Sequence, residues 1–267
     1  MGGDRLTLLA DEAVRRAFAS ALGTRRVGRV IEYHAAIPTT MERGAELVRA
    51  GTPDGAVVVA NHQTAGRGRR GRSWGFGPPG SLFIASWLLR VDAAFAPLFS
   101  VLSVVPVLRA ARALGVEGLS VKWPNDLLLG ARKVAGILAV SAQDGRGEQW
   151  VILGTGVDTH TRDYPQEVRG VVTSFAASGY DVDRLALLAR LAGELEGLLE
   201  GGQAARADAL AEWRARSSIL GARVLIDDGV RSFVAEAVDL DADGALLVRR
   251  DGAVERIVAG DVSARPA

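Results

Sequence analysis

Apolar and polar positions along this chain follow two periods, and the switches between them outline a fold. Residues 5 to 22 space their apolar positions as one short amphipathic helix does. After Ile37-Pro38, Thr39 and Thr40 stand where N-caps stand, and MERGAELVRAG follows as a second helix that stops at Gly51. Short runs rich in Val, Ile and Leu then alternate with turn residues: Gly55 to Gln63, Ser81 to Leu89, Leu119 to Asp126, Lys133 to Val140 and Trp150 to Val157. Each is predicted to be a strand of one buried sheet. Only one long helical pattern, 93 to 114, falls between them. Regular strand–helix alternation is therefore missing, which predicts an α+β fold with a mixed or antiparallel sheet flanked by helices. Pro97 falls near the first turn of that helix, and Pro106 is expected to kink it. A last helix spans Asp183 to Arg214, with Leu188, Leu191, Leu195 and Leu198 on one face and a weak point at Gly201-Gly202. Beyond Ser217 the texture becomes short β-runs separated by Asp228-Gly229, Asp243-Gly244 and Asp251-Gly252, each a hairpin-turn dipeptide. This predicts a small barrel, which at about 50 residues holds too little core to stand alone and should dock on the larger domain.

Composition narrows the function. The 267 residues are 48% hydrophobic and 24% charged, an ordinary globular balance. With no cysteine, disulfides, thiolate catalysis and cysteine zinc sites are excluded, and a cytoplasmic location is expected. The 32 basic and 31 acidic side chains nearly cancel, so functional charge must be local. Asp4, Asp11 and Glu12 interrupt any signal-like apolar run. The uncharged apolar run Ala93 to Leu108 is 16 residues, short of the roughly 18 that suggest a membrane span, and no membrane association is expected.

Local charge is concentrated in Gly66-Arg67-Gly68-Arg69-Arg70-Gly71-Arg72-Ser73-Trp74, where four guanidinium groups are spaced by three glycines between two strands. Forked donors and glycine backbone suit an oligoanion, and Trp74 suits stacking on a base. The same residues match a dinucleotide-binding glycine pattern, but the Gly- and Pro-rich segment that follows cannot form the helix which that fold requires. No P-loop motif occurs. A second signal is Lys122-Trp123-Pro124-Asn125-Asp126, where Pro124 ends a strand and presents Asn125 and Asp126. Lys133 opens an apolar strand, and Gly136 leaves room for close approach. Gln63 stands either to read an amide-like group or to cap the loop. Gly154-Thr155-Gly156 suits close approach of backbone to a ligand or an ordinary strand-end turn. His34, His62 and His160 lack metal-ligand spacing, so no protein metal site is predicted.

Taken together, HQTAGRGRRGRSW, VKWPNDLLL, KVAGIL and LGTGVD, in this order and spacing, resemble the biotin protein ligase family over residues 31 to 265. The resemblance implies a short helical extension over 1–30, a catalytic ligase domain over 31–216 and an SH3-like domain over 217–267. It implies that biotin and ATP, with Mg2+, form biotinyl-5′-adenylate, and that biotin passes to a lysine of a biotin carboxyl carrier protein. By position, Thr39, Thr40, Met41, Gln63, Arg67, Gly68, Arg69, Lys133 and Gly136 would hold biotin. Arg69, Arg70, Arg72, Trp74, Asn125, Asp126 and Asp158 would hold ATP and the adenylate, and Lys133, Arg67 and Arg69 would be catalytic. Two positions depart from the family: Met41 stands where Asn is usual and loses a polar contact, and Asp158 stands where Asn is frequent and would bring a negative charge to the nucleotide. Some members carry an N-terminal DNA-binding module, and the 30 residues ahead of the matching region are too few for one, so DNA binding is not expected. A homodimer is left open. The competing readings are a lipoate-type ligase of the same architecture, whose acid would be chosen by a few pocket groups, and a non-enzymatic nucleic-acid or phosphate-binding module.

Overall fold

Asp11 decides how the chain begins. Its carboxylate accepts the Ala13 and Val14 N–H groups at 2.7 and 3.1 Å and starts helix α1 (Glu12–Ala21), so Arg5–Ala10 ahead of it is a separate 3-10 turn. The single helix expected over 5–22 is thus two pieces, because an N-capping side chain imposes a new start. The computed structural model describes residues 5–227, 232–258 and 263–266.

Strand β1 (Ile31–His34), not expected from its four residues, runs parallel to β2 (Ala56–Ala60). Parallel neighbours need a crossover, and helix α2 (Thr40–Arg49), capped by Thr39, supplies it. Then come β3 (Leu82–Leu89), α3 (Ala96–Leu102), α4 (Val104–Ala113), β4 (Leu119–Lys122), β5 (Asp126–Leu129), β6 (Arg132–Gln143) and β7 (Gln149–Asp158). The strands form one mixed sheet of order β1-β2-β3-β7-β6-β5-β4, antiparallel except for its first pair. Two expected elements divide. The 93–114 helix breaks at Ser103 rather than kinking at Pro106, which falls in the first turn of α4 where its missing N–H costs least. The 119–126 strand is two strands, because Trp123-Pro124-Asn125 turns the chain back and Asp126 opens β5. Ala96–Ala113, taken as one stretch, has the length and apolarity to cross a bilayer, and 61% of it is buried inside the fold.

Alternation along the strands divides the sheet into two faces. Val57, Val59, Phe83, Trp87, Leu153 and Val157 join the main core with α4 and with α5 (Arg184–Glu200). Leu88, Ile152 and Trp150 turn the other way and pack on Val48 of α2. After α5, Gly202 at φ 62° breaks the helical run and α6 (Gly202–Ala215) follows, at the expected weak point.

Glu196 on α5 ties the N-terminal segment to the core by accepting three backbone N–H groups, from Arg25, Arg26 and Val27 at 2.8, 2.8 and 3.1 Å. Burial alone would raise its pKa, but these donors outweigh burial and hold the carboxyl below 4.5. The folded-state value is depressed, so its contribution is full above the unfolded value and is lost as pH falls through the folded one. Glu196→Gln is expected to cost about 1–3 kcal/mol at neutral pH and to flatten the loss of stability below pH 4.5. Denaturant melts of both proteins at neutral and acidic pH check this; equal midpoints at neutral pH would remove the tie.

The C-terminal strands are β8 (Arg223–Asp227), β9 (Ser232–Leu240), β10 (Leu246–Arg250), β11 (Ala253–Ile257) and β12 (Ser263–Pro266), a barrel-like antiparallel sheet of order β11-β10-β9-β8-β12. Asp251-Gly252 turns β10 into β11 with both residues at positive φ, whereas Asp228-Gly229 lies outside the described residues. The sheet docks as expected: Gly244 sits against Val101 of α3, and its carbonyl accepts the buried Trp123 indole N–H at 3.0 Å. That bond also fixes the turn carrying Asn125 and Asp126.

Candidate active site

Missing side chains create the site. On the α2 side of the sheet, Gly136 of β6 pairs with Gly156 of β7, Leu138 with Gly154, and Ile84 and Ser86 of β3 continue the two rows. A Cβ at Gly156 would lie 2.0 Å from the Trp74 indole nitrogen, one at Gly154 2.7 Å from Met41 sulfur, and one at Gly136 3.1 Å from Lys133 Nζ. Three glycines thus make the floor of a cavity of about 300 Å³, the low end of the usual range for ligand pockets.

The α2 end of the cavity is held by a buried relay. Ser86 Oγ donates to Thr40 Oγ1 at 2.7 Å, and Gln63 Oε1 accepts from both the Thr40 hydroxyl and the Thr40 N–H, at 2.9 and 2.7 Å. Gln63 is thus tied to the first residue of α2, and the same bonds hold its Nε2 near Gly66. Met41 covers Gly154 as an apolar wall.

The arginine segment is a hairpin. Arg67 bridges Ser73, Gly68 N–H donates to Arg72 O at 2.7 Å and Trp74 N–H to Gly66 O at 3.0 Å, with Arg70 at φ 56° in the tip. Arg69 Nη1 reaches Asn125 Oδ1 at 3.4 Å, and Asn125 Nδ2 donates to Ile137 O at 2.6 Å, so the hairpin leans on the Pro124 turn. The Trp74 ring lies on the glycine floor; its buried N–H has no hydrogen-bond partner among the described residues.

Lys133 reaches the cavity through a bulge. Leu127 pairs with Ala135 but Leu128 pairs with Lys133, so Val134 is an extra residue and Lys133 is turned onto the face of Gly136. Its Nζ lies 2.6 Å from Asp126 Oδ1 and 4.9 Å from the Trp74 ring centroid. Its backbone is bracketed by loop 159–175, Lys133 N–H donating to Val171 O and Thr173 N–H to Lys133 O at 2.9 and 2.8 Å.

Thr39, Thr40, Met41, Gln63, Arg67, Gly68, Arg69, Arg70, Arg72, Trp74, Asn125, Asp126, Lys133 and Gly136 all line this one cavity. Asp158 does not. It stands two residues beyond Gly156, where its carboxylate accepts the Tyr164 hydroxyl at 2.9 Å and the Thr161 N–H at 3.2 Å. Asp158 is the one expected site residue that stands outside the cavity lining, its oxygens engaged by the following loop. Burial pushes its carboxyl pKa up against those two hydrogen bonds, and burial together with Asp158 holds the Tyr164 phenol well above its ordinary range, so the hydroxyl stays a donor. Lys122, Phe76, Val168 and Val172 also line the cavity. Lys122 lies inside a motif already noted, whereas nothing in the sequence of 159–175 marks Val168 or Val172. None of the three histidines lines it.

Comparison with known proteins bears on this cavity. The profile of the Biotin/lipoate A/B protein ligase family matches residues 33–158, and that of the Biotin protein ligase C terminal domain matches residues 219–265. The chain is 34% identical over 216 residues to the biotin–[acetyl-CoA-carboxylase] ligase of Mycobacterium tuberculosis, covering 78% of this chain and 79% of that one. It is 33% identical over 219 residues to the bifunctional ligase/repressor BirA of Escherichia coli, covering 80% of this chain and 67% of that protein. The biotin protein ligase of Aquifex aeolicus, solved with biotin and ATP, superposes with a TM-score of 0.71 at 25% identity, covering 90% of this chain and all of that one.

Proposed function

The chain belongs to the biotin protein ligase family, and on that premise we propose a working account of its cavity. It is an ATP-dependent biotin ligase: it binds biotin and ATP, forms biotinyl-5′-adenylate and passes biotin to a carrier protein. The observation that carries this reading is the juxtaposition, over one glycine floor, of an arginine hairpin, a bulge-presented lysine and a polar relay.

Biotin lies along the floor, its ureido end toward Thr39, Thr40 and the Gln63 amide and its carboxylate toward Lys133. Met41 and Gly154 make an apolar wall suited to the thioether ring. ATP enters from the Pro124 turn and the hairpin, with Asn125 and Trp74 beside the base and Arg69, Arg70 and Arg72 on the phosphates. In the first step a carboxylate oxygen bonds to the α-phosphorus and the bond to pyrophosphate breaks. Two anions must meet, so fixed positive charge and alignment carry the acceleration. Lys133 supplies that charge at the meeting point. In the second step a carrier lysine amine bonds to the acyl carbon, AMP departs and the amine loses a proton. We infer that this carrier is a biotin carboxyl carrier protein.

Asp126 is the one carboxylate among the described cavity-lining residues. Asp126 would be the residue of this cavity to hold a magnesium ion brought with the nucleotide. The ion would neutralise phosphate charge.

Mass spectrometry of protein incubated with Mg-ATP and equimolar biotin and lipoate tests the assignment. Bound biotinyl-adenylate is the expected result, lipoyl-adenylate would replace the acid, and no adenylate would overturn the enzyme reading. A related expectation concerns Arg69, which joins the hairpin to Asn125. Arg69→Ala should release the adenylate on the order of tenfold faster, the cost of one charge-assisted contact, while capturing biotin nearly as well. Equal adenylate lifetimes would take Arg69 out of that closure.

A further inference from the structure

The loop between β7 and α5 returns almost to its starting point: Phe175 N–H donates to Asp158 O at 3.0 Å and Ala176 N–H to Thr159 O at 2.9 Å, closing a neck around residues 159–175. So long a connection with hardly any regular structure is uncommon in a compact domain unless it serves the site. Its far end does reach the site, since Val168 and Val172 line the cavity and the backbone at Val171 and Thr173 hydrogen-bonds both sides of Lys133.

What holds the loop at its root is a buried polar cluster. Asp158 is 6% exposed and Tyr164 8%, and the carboxylate receives the phenol O–H and the Thr161 N–H. Ser174 Oγ donates to Thr161 O at 2.5 Å, tying the outgoing and returning limbs together. Arg169 Nη2 donates to Tyr164 O at 3.2 Å, passing the constraint toward Val168 and Val172.

We propose that Asp158 and Tyr164 are positioning residues, a latch that sets loop 159–175 against Lys133 and so governs how long the activated acyl-adenylate is retained. The inference rests on the ligase reading above. Neither residue touches the reacting atoms. Each acts through the loop, which walls the cavity and clamps the Lys133 backbone. Water exclusion is what an acyl-adenylate needs in order to survive until the acceptor arrives.

Tyr164→Phe removes one hydroxyl and keeps the packing. Asp158→Asn keeps an acceptor for the Thr161 N–H and offers an N–H to the Tyr164 hydroxyl. The expected result for Tyr164→Phe is adenylate release about tenfold faster, from loss of one hydrogen bond to a charged group, with unchanged biotin binding in the absence of ATP. Amide exchange at Lys133 and Thr173 should quicken in parallel, and Asp158→Asn should remain near the parent in both measurements. Parental release from Tyr164→Phe would overturn the latch. So would faster release with unchanged exchange at those two amides, or a lower melting temperature with a uniform fall in kcat. If the parent itself forms no adenylate, the ligase reading fails, and amide exchange at Lys133 and Thr173 still decides whether the latch exists.

Discussion

Replacing Lys133 with Ala is expected to lower the rate of adenylate formation on the order of a hundred- to a thousandfold, the usual cost of removing one fixed charge aimed at a developing anion. The fold should survive. Lys133 is only partly buried and its partner Asp126 stays in reach of water, so no charge is stranded in the core. Its backbone bonds to the loop are independent of the side chain. Pyrophosphate exchange measures the first step, and biotin transfer from supplied adenylate measures the second. The larger loss should fall on the first, where carboxylate and phosphate meet. Near-parental exchange in a folded Lys133→Ala protein would remove the lysine from the chemistry. Asp126→Asn in parallel tests the ion pair itself, since the neutral variant keeps the ammonium and an acceptor for it but removes the countercharge.

Gly156→Val should cost biotin binding on the order of a hundredfold, in line with a few kcal/mol of overpacking, at little cost in stability. Gly156 has ordinary strand geometry, so a β-branched residue suits its backbone. What it lacks is space: a Cβ there stands 2.0 Å from Trp74 Nε1 and 2.6 Å from Cε2. Little cost in stability requires the hairpin indole to shift aside, and a ligand seated on that floor cannot share it with an isopropyl group. Calorimetric titration with biotin and a thermal melt of the same sample test the two halves of the expectation. Parental affinity in Gly156→Val would place the biotin seat elsewhere.

Much of this protein was legible before any coordinates. The lack of regular strand–helix alternation predicted a mixed or antiparallel sheet, Thr39 and Thr40 the start of α2, Gly201-Gly202 the break between two helices, and the spaced motifs the family. These are local signals, in which neighbours along the chain carry the information. Errors arose where a single residue overrode a period. Asp11 restarted a helix, Ser103 interrupted another, and Pro124 folded one expected strand into a hairpin.

The site divides in the same way. Residue types alone pointed to an oligoanion as the guest of the arginines in a glycine-rich segment. Only the tertiary structure decided which groups face the ligand. Strict alternation puts Lys133 and Gly136 on opposite faces of β6, and the extra residue at Val134 brings them together. Asp158 shares its face with Gly156, yet the Tyr164 hydroxyl takes its carboxylate. Loop 159–175 has no periodicity from which its return to Lys133 is legible. A bulge, a side chain's choice of partner and the path of an irregular loop are each settled by contacts between residues distant in sequence. Spacing along a chain does not encode those contacts, because they exist only once the sheet has formed.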